Sequence, residues 1–482
     1  MIYGIEELLG RGKQYPPNDE IKRRDAYSVN EMLLEDEPWT ALPAYKERVN
    51  FILSNFSMDS KCSYYYDANY WLDLVEKMQE LVYGDPPEYT TDGDEAQAVL
   101  DATVEATEFQ DKVNEGLSDF VALGDWVTKV EQTKNGYTFT NVNPSMWFPI
   151  VSRENVKEVT AHVLAWLVPI DSEGKRYELH VQIHEKGKYT NRAFAVDKYE
   201  KDAHYKDERT GQRIDCTLAT IGRELEVSAT GFGLGEKETG LDDFAIIASA
   251  NNARTRSIYG ASDFDKITES AMEYNVRMTL KNAVLDKHSA PIMSGPDLDG
   301  DGNDVGNYIV VREGQPTPNY LVWDASMQSV ENTINKAQED IANLSGLGSL
   351  LSSKTFGESQ GYDALMIKLA PALMKTAKKR RVLETHLKKL LSLLSKGYGR
   401  QIPALSIRVG WKDGIPATET VRADIAQKHL ATGWSMYDVL TKDYGWSAEE
   451  AKLAIERKRE ESPSVPVYGM FDESEGEGGD EA

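Results

Sequence analysis

The densest set of metal-type ligands in the sequence is Asp297-Leu-Asp-Gly-Asp-Gly302, with carboxylates at the first, third and fifth positions and glycine at the sixth. Three oxygens converging from Asp297, Asp299 and Asp301 suit a hard cation, and the run matches the first half of an EF-hand calcium loop. The twelfth position, where a bidentate Glu would close such a loop, is Tyr308, and the residues around it read as strand. A solvated turn is therefore the better reading. The same three carboxylates are what a metal-dependent nucleic-acid-processing enzyme would require, and that is the alternative function the run supports.

His180 and His184 fall on one face of an alternating segment with Glu185 adjacent, but no third ligand stands at a recognisable spacing. Gly174-Lys175 and Gly187-Lys188 lack the earlier glycine of a phosphate-binding loop, so no ATP motor is expected. No Gly-x-Ser-x-Gly elbow or Cys/His pairing points to nucleophilic catalysis. Cys62 and Cys216 are the only cysteines, which argues against a Cys-rich zinc site or a disulfide framework and suits a reducing compartment. The expectation is a non-enzymatic chain with no catalytic residue and no cofactor.

Lys375-Thr-Ala-Lys-Lys-Arg-Arg381 is the one dense basic run. Charge runs on long helices are usually solvated or paired faces. With a formal net charge of −25 over 482 residues, pairing between subunits is the expected role. The same charge argues against a protein that grips nucleic acid by neutralising phosphates. No stretch approaches the roughly 18 apolar residues that a membrane span needs, and the first residues lack the pattern of a signal peptide.

The elements that position these residues are legible from periodicity. Residues 1 to about 40, interrupted by Pro16-Pro17 and Pro38, read as an arm that needs a partner to be ordered. Helical patterns follow over Pro43–Tyr83 and Asp94–Leu123, and strands then alternate over Trp126–Glu131, Tyr137–Val142, Val159–Val168 and Tyr177–Ile183. Shorter strands are predicted at Arg192–Val196, Leu225–Ser228 and Asp243–Ala248. The first 260 or so residues thus make an α+β module, helices first and an antiparallel meander after. The tryptophans are scattered and are expected in the core or at subunit contacts.

From Ser262 a helix with Phe264, Ile267, Ala271, Tyr274, Met278 and Leu285 on its seam runs to Ser289, about 42 Å at 1.5 Å per residue. Ser262 and Asp265 resemble a capping box. Strands at Tyr308–Val311 and Tyr320–Trp323 form a small hairpin module. A second helix carries the seam Val330, Ile334, Ala337, Ile341 and Leu344, and the polar loop Ser349–Gly361 leads into a long helix containing Pro371. Proline removes a backbone donor and clashes with the preceding turn, so a kink is expected there. A strand at Leu405–Trp411, three helical segments within 421–460 and an acidic tail beyond Pro463, expected to be disordered, complete the chain.

The order of these parts resembles the portal proteins of tailed bacteriophages, most strongly from Tyr259 to Glu461. The resemblance rests on the Gly-Ala-Ser-Asp helix start, the long helix, the small α/β insertion, the second helix and the polar loop that opens into a long kinked helix. It continues through the strand leading to Lys412-Asp-Gly-Ile-Pro416 and the Ala431-Thr-Gly-Trp-Ser435 turn. It implies a wing over 1–261, stem helices over 262–289 and 326–346, a clip over 290–325 and a tunnel loop over 347–361. The kinked helix, a wing strand and a crown-like helical part would fill 362–461, with the tail at 462–482. It further implies a homo-oligomeric ring of about twelve subunits at one capsid vertex, assembled in the host cytoplasm and built into the virion. Double-stranded DNA would pass through the ring. The terminase large subunit, major capsid and scaffolding proteins and head-completion proteins would be its partners. Lys336, Ser352, Ser353, Lys354, Thr355 and Phe356 are then the expected channel-lining residues.

Overall fold

The computed structural model describes residues 1–55, 64–206, 213–289, 293–295, 308–311, 324–351, 362–412 and 419–461, save 443, 445 and 447. The chain is mixed helix and sheet, α+β in class. It divides into two compact units, Met1–Gly414 and Ile415–Ala482.

The N-terminal stretch contains α1 (Ile5–Leu8), β1 (Gln14–Tyr15), α2 (Asn18–Leu34), α3 (Pro38–Ala41) and α4 (Pro43–Asn55). This corrects the expectation of an arm awaiting a partner. Leu8, Tyr15, Ile21, Tyr27 and Leu33 are buried, β1 pairs antiparallel with a later strand through Tyr15 and Ala219, and the Tyr15 hydroxyl donates to the Ala165 carbonyl at 2.6 Å. The arm is ordered by its own chain's sheet. The predicted helix 43–83 is two helices, α4 and α5 (Tyr70–Tyr83), and the Asn69 side chain accepts the Leu72 N–H to start the second. Next come β2 (Glu88–Thr90), α6 (Asp94–Ala106) and α7 (Phe109–Ala122).

Alternation then builds two sheets. β3 (Asp125–Thr133) and β4 (Gly136–Val142) form a hairpin, and β5 (Trp147–Val151), β6 (Val159–Pro169), β7 (Tyr177–Glu185), β8 (Lys188–Lys206) and β9 (Arg213–Glu224) make an antiparallel meander. β10 (Gly235–Glu238) pairs with the start of β8, and β11 (Ile246–Ala250) adds to β3, giving the order β11-β3-β4. No strand forms at 225–228, and β8 is far longer than the five residues predicted. Val127 and Ile246 of the small sheet pack on Trp147 and Leu164 of the large one.

The helices lie on the other face of the small sheet. α8 (Thr268–Ser289) follows a 3-10 turn at Phe264–Lys266, so Ser262 caps that turn, accepting the Phe264 N–H at 2.9 Å, and makes no capping box on α8. Among the described residues of the insertion, β12 (Met293–Gly295) and β13 (Tyr308–Val310) pair in parallel. The predicted hairpin partner at 320–323 lies outside the described residues. α9 (Asp324–Ser345) and α10 (Tyr362–Ser395) follow, and β14 (Arg408–Gly410) pairs with β2. Trp71, Phe109, Phe120, Trp126, Phe264, Leu387 and Leu391 form the main core between these helices and the small sheet. Each such side chain contributes about 1.5–3 kcal/mol by leaving water. The second unit contains α11 (Glu419–Ala431), α12 (Met436–Lys442) and α13 (Ala448–Glu461), with Gly433 at φ 97° in the turn between the first two.

Candidate functional site

The Gly-Ala-Ser-Asp run at 260–263 is where the helices and the small sheet lock together, and each residue type has a physical reason. A Cβ on Gly260 would lie 1.9 Å from the Gly124 carbonyl oxygen and within 2.7 Å of Asn251 backbone atoms, so glycine alone fits. The Gly260 N–H donates to the Asp125 carboxylate at 2.9 Å. Ser262 caps the turn as described. Asp263 is buried, and the ammonium groups of Lys379 and Lys375 stand 2.7 and 3.1 Å from its Oδ2.

Burial disfavours charge on all three groups, and the outcome differs by partner. The two lysines outweigh burial at Asp263 and hold its carboxyl down to about 2. Burial wins at Lys379, which is lowered to about 8, and also lowers Lys375, although Asp263 pulls both upward. Lys379 also donates to Asn251 Oδ1 at 2.8 Å, and Asn252 Nδ2 donates to Asp263 Oδ1 at 2.9 Å.

Lys375 reaches a second element. Its Nζ donates to the Ser345 carbonyl at 2.7 Å, satisfying an end of α9 where intrahelical partners run out. Ser345 Oγ accepts the Leu347 N–H, Gly346 and Gly348 take φ of 73° and 52°, and Leu347 is buried. The chain thus leaves α9 in a fixed direction just before the polar loop. Arg380 donates to the Leu81 and Val82 carbonyls at the end of α5. Lys375, Lys379 and Arg380 are therefore engaged inside their own subunit, which corrects, for these three residues, the expectation that the basic run pairs between subunits. Lys378 and Arg381, on the exposed side of α10, have no ion pair among the described residues.

Farther along α10, the His386 ring stacks on Trp126 with centroids 4.0 Å apart and planes 10° from parallel. Its nitrogens bond Thr128 Oγ1 at 3.1 Å and Ser249 Oγ at 2.8 Å, joining the helix to β3 and β11. Full burial holds this imidazole neutral, its pKa lowered to about 3.

The residues named from sequence fall as follows. Lys336 is exposed on α9. Ser352, Ser353, Lys354, Thr355 and Phe356 lie outside the described residues, as do Asp297, Asp299, Asp301 and the tail. Pro371 is exposed within α10, which is assigned as helix from end to end. Ile334 and Ile341 are buried on the α9 seam, Val330 and Ala337 pack beside them, and Leu344 is 47% exposed and leaves the seam. Gln338 of α9 donates to the hydroxyls of Tyr70 and Tyr274, both at 3.3 Å, tying α9 to α5 and α8. Trp39, Trp71, Trp126 and Trp147 are core residues.

His180 bonds Glu178 and Thr230 and stacks on Phe232. His184 is buried with both ring nitrogens unpartnered. Among the described residues no three metal-ligating side chains converge, and no helix is long and apolar enough to cross a membrane. Asp263, Lys379 and His386 were not singled out from sequence. The signal was divided between the Gly-Ala-Ser-Asp start and the basic run, which stand far apart in the chain.

Residues 66–464 match the family described as Phage portal protein, SPP1 Gp6-like. No curated protein matches the sequence. The family match runs from just before α5 to just past α13 and covers most of the chain, and the chain accordingly belongs to the phage portal protein family, whose members are structural components of the virion.

Proposed function

We propose that this chain forms a ring of about twelve subunits at one capsid vertex, through which double-stranded DNA is packaged and ejected. The family match over residues 66–464 carries the reading. In this reading 1–261 form the wing, α8 and α9 the stem, 290–325 the clip and 347–361 the tunnel loop. The clip docks the terminase large subunit during packaging and head-completion proteins afterwards, while capsid and scaffolding proteins surround the ring.

The charge supports it. A ring of about twelve chains at −25 each carries about −300, and a mostly negative channel repels phosphate and lets DNA slide. Isolated cations then guide the backbone, with Lys336 on α9 and Lys354 in the loop as the first candidates and Ser352, Ser353, Thr355 and Phe356 beside them. Pro371 sets a kink that turns α10 from channel to wing.

Negative-stain imaging or mass photometry of the purified chain tests the assembly. Rings of roughly a dozen copies are expected, and a persistent monomer under assembly conditions would overturn the reading. Deleting residues 349–360 should leave rings that assemble but fail to package DNA; normal filling of heads by that variant would remove the loop from the mechanism.

A further inference from the structure

One face of α10 stays exposed. Ile367, Pro371, Met374, Lys378, Arg381 and Thr385 recur at steps of four, three, four, three and four, which is a single helical stripe. Its character changes along its length. Ile367 and Met374 are 75% and 73% exposed and, with Pro371 between them, make an apolar first half. Lys378 and Arg381 make a cationic second half with no ion pair among the described residues. Exposed Lys266 adds to it: Lys375, lowered first by burial, is lowered further by both Lys266 and Lys378. Acids next to these cations are engaged elsewhere. Glu384 pairs with Lys388 at 2.6 Å, Asp263 holds Lys375 and Lys379, and Asp265 has Arg254 beside it.

α5 presents the complementary face. Leu72, Glu76 and Glu80 repeat at steps of four and are exposed, with exposed Asp73 flanking them. Between α5 and α7 the surface sinks into a hollow of about 520 Å³, whose described lining carries Glu76, Glu80 and Asp111 and neither lysine nor arginine. The adjacent Lys77 is bound to Glu80 at 2.8 Å, while Asp73, Glu76 and Asp111 have no ion pair among the described residues. Gln110 also lines the hollow, and its Oε1 lacks a hydrogen-bond partner. Carboxylates and an open amide oxygen suit a guanidinium or an ammonium.

The two faces agree in spacing as well as in charge. Met374 to Lys378 and Leu72 to Glu76 are each one four-residue step, and such rows are what interdigitate when helices pack. Laid parallel, Met374 meets Leu72, Lys378 meets Glu76, and Arg381, about one turn farther on, reaches the hollow at Asp111.

We infer that the exposed stripe of α10 docks on the α5–α7 face of a second copy of this chain, with Lys378 and Arg381 seated against Glu76 and Asp111. The contact joins two different surfaces, the kind that closes into a ring when repeated. It rests on the ring reading above, to which it adds the two surfaces.

The test reverses charge in the full-length chain. One variant carries Lys378→Glu and Arg381→Glu, the other Glu76→Lys and Asp111→Lys; all four positions are exposed, and circular dichroism checks folding. By mass photometry the assembled fraction of each variant alone should fall at least tenfold. An equal mixture should recover it, because each variant then offers the face that the other needs. In parallel, isotope-light and isotope-heavy copies of the unaltered chain are mixed and treated with a carbodiimide, which joins an ammonium directly to a carboxylate. Links between Lys378 of one copy and Glu76 or Asp111 of the other are expected.

Rings formed by both variants at the unaltered level would overturn the docking inference and leave the ring reading standing. So would loss confined to one variant, which would assign that face to DNA or another protein, and so would loss in both without recovery on mixing. Should a variant not fold, or the unaltered chain form no rings, the coupling decides the docking, and absence of light-to-heavy links at these residues overturns it. Absence of rings alone counts against the ring reading.

Discussion

The ammonium of Lys379 stands 2.7 Å from the carboxylate of Asp263 in a site where both side chains are almost fully buried. The pair joins the turn before α8 to the middle of α10, and Lys375 extends the same charge cluster to the last carbonyl of α9. Three helices that meet the polar loop or the insertion are thus fixed by one carboxylate.

Asp263→Asn should destabilise the folded chain by about 3–5 kcal/mol, because it leaves two buried lysines without their counter-charge. Its pH dependence follows from the direction of the shift. With a folded value of about 2 against the ordinary 3.8, the carboxylate's stabilisation is complete above pH 4 and fades as pH falls toward 2. Urea unfolding at pH 7 and near pH 3 should therefore show a smaller gap between wild type and variant in acid.

Gly260→Ala should cost about 3 kcal/mol or more, since the new methyl meets backbone and not a movable side chain. Soluble yield and thermal unfolding, compared with Gly231→Ala, where open space surrounds the site but φ is 78°, separate close approach from backbone strain.

These two sites mark the limit of what sequence could show. The seams of α8 and α9 were legible because Ile267, Ala271 and Tyr274, or Ile334 and Ile341, repeat at helical spacing. The meander was legible because its strands alternate. The N-terminal arm was not, because Ile21, Tyr27 and Leu33 are spread among charged residues and their burial depends on a sheet formed much later in the chain. β9 was missed because Asp215, Cys216, Thr217 and Thr220 dilute its alternation. The Asp263 cluster and the His386 stack depend on contacts between residues more than a hundred positions apart, which local spacing does not encode.

His162, His184 and His386 are buried, and each pKa is lowered to about 3, chiefly by loss of water. A base whose folded value lies below its unfolded value of about 6.5 is protonated first in the unfolded chain, so stability is full above pH 6.5 and declines as pH falls. With three such groups the decline should be on the order of 4 kcal/mol per pH unit at its steepest, between about pH 6 and 4. His184→Phe should flatten this slope by about one third and be neutral or stabilising at pH 7, because both ring nitrogens lack partners. Urea midpoints at pH 7, 6 and 5 read both effects.

Asp119 shifts the other way, up to about 7, through burial and the neighbouring Glu31 and Glu115. Its proton is held in the folded chain and lost in the unfolded chain between about pH 4 and 7, so its ionisation opposes folding as pH rises. Asp119→Asn should stabilise the protein by about 1 kcal/mol at pH 8, after allowance for partial solvent screening, and have little effect at pH 4. Differential scanning calorimetry at the two pH values decides it.

Pro371 sits four residues before Lys375, on the N-terminal side of every tie that α10 makes to Asp263, Ser345, Trp126 and Thr128. The 34-residue helix is about 51 Å long, and the section from Lys375 to His386 is bolted at several points, to the turn before α8, to the end of α9 and to the small sheet. An axial load on that section would therefore pass straight into the sheet.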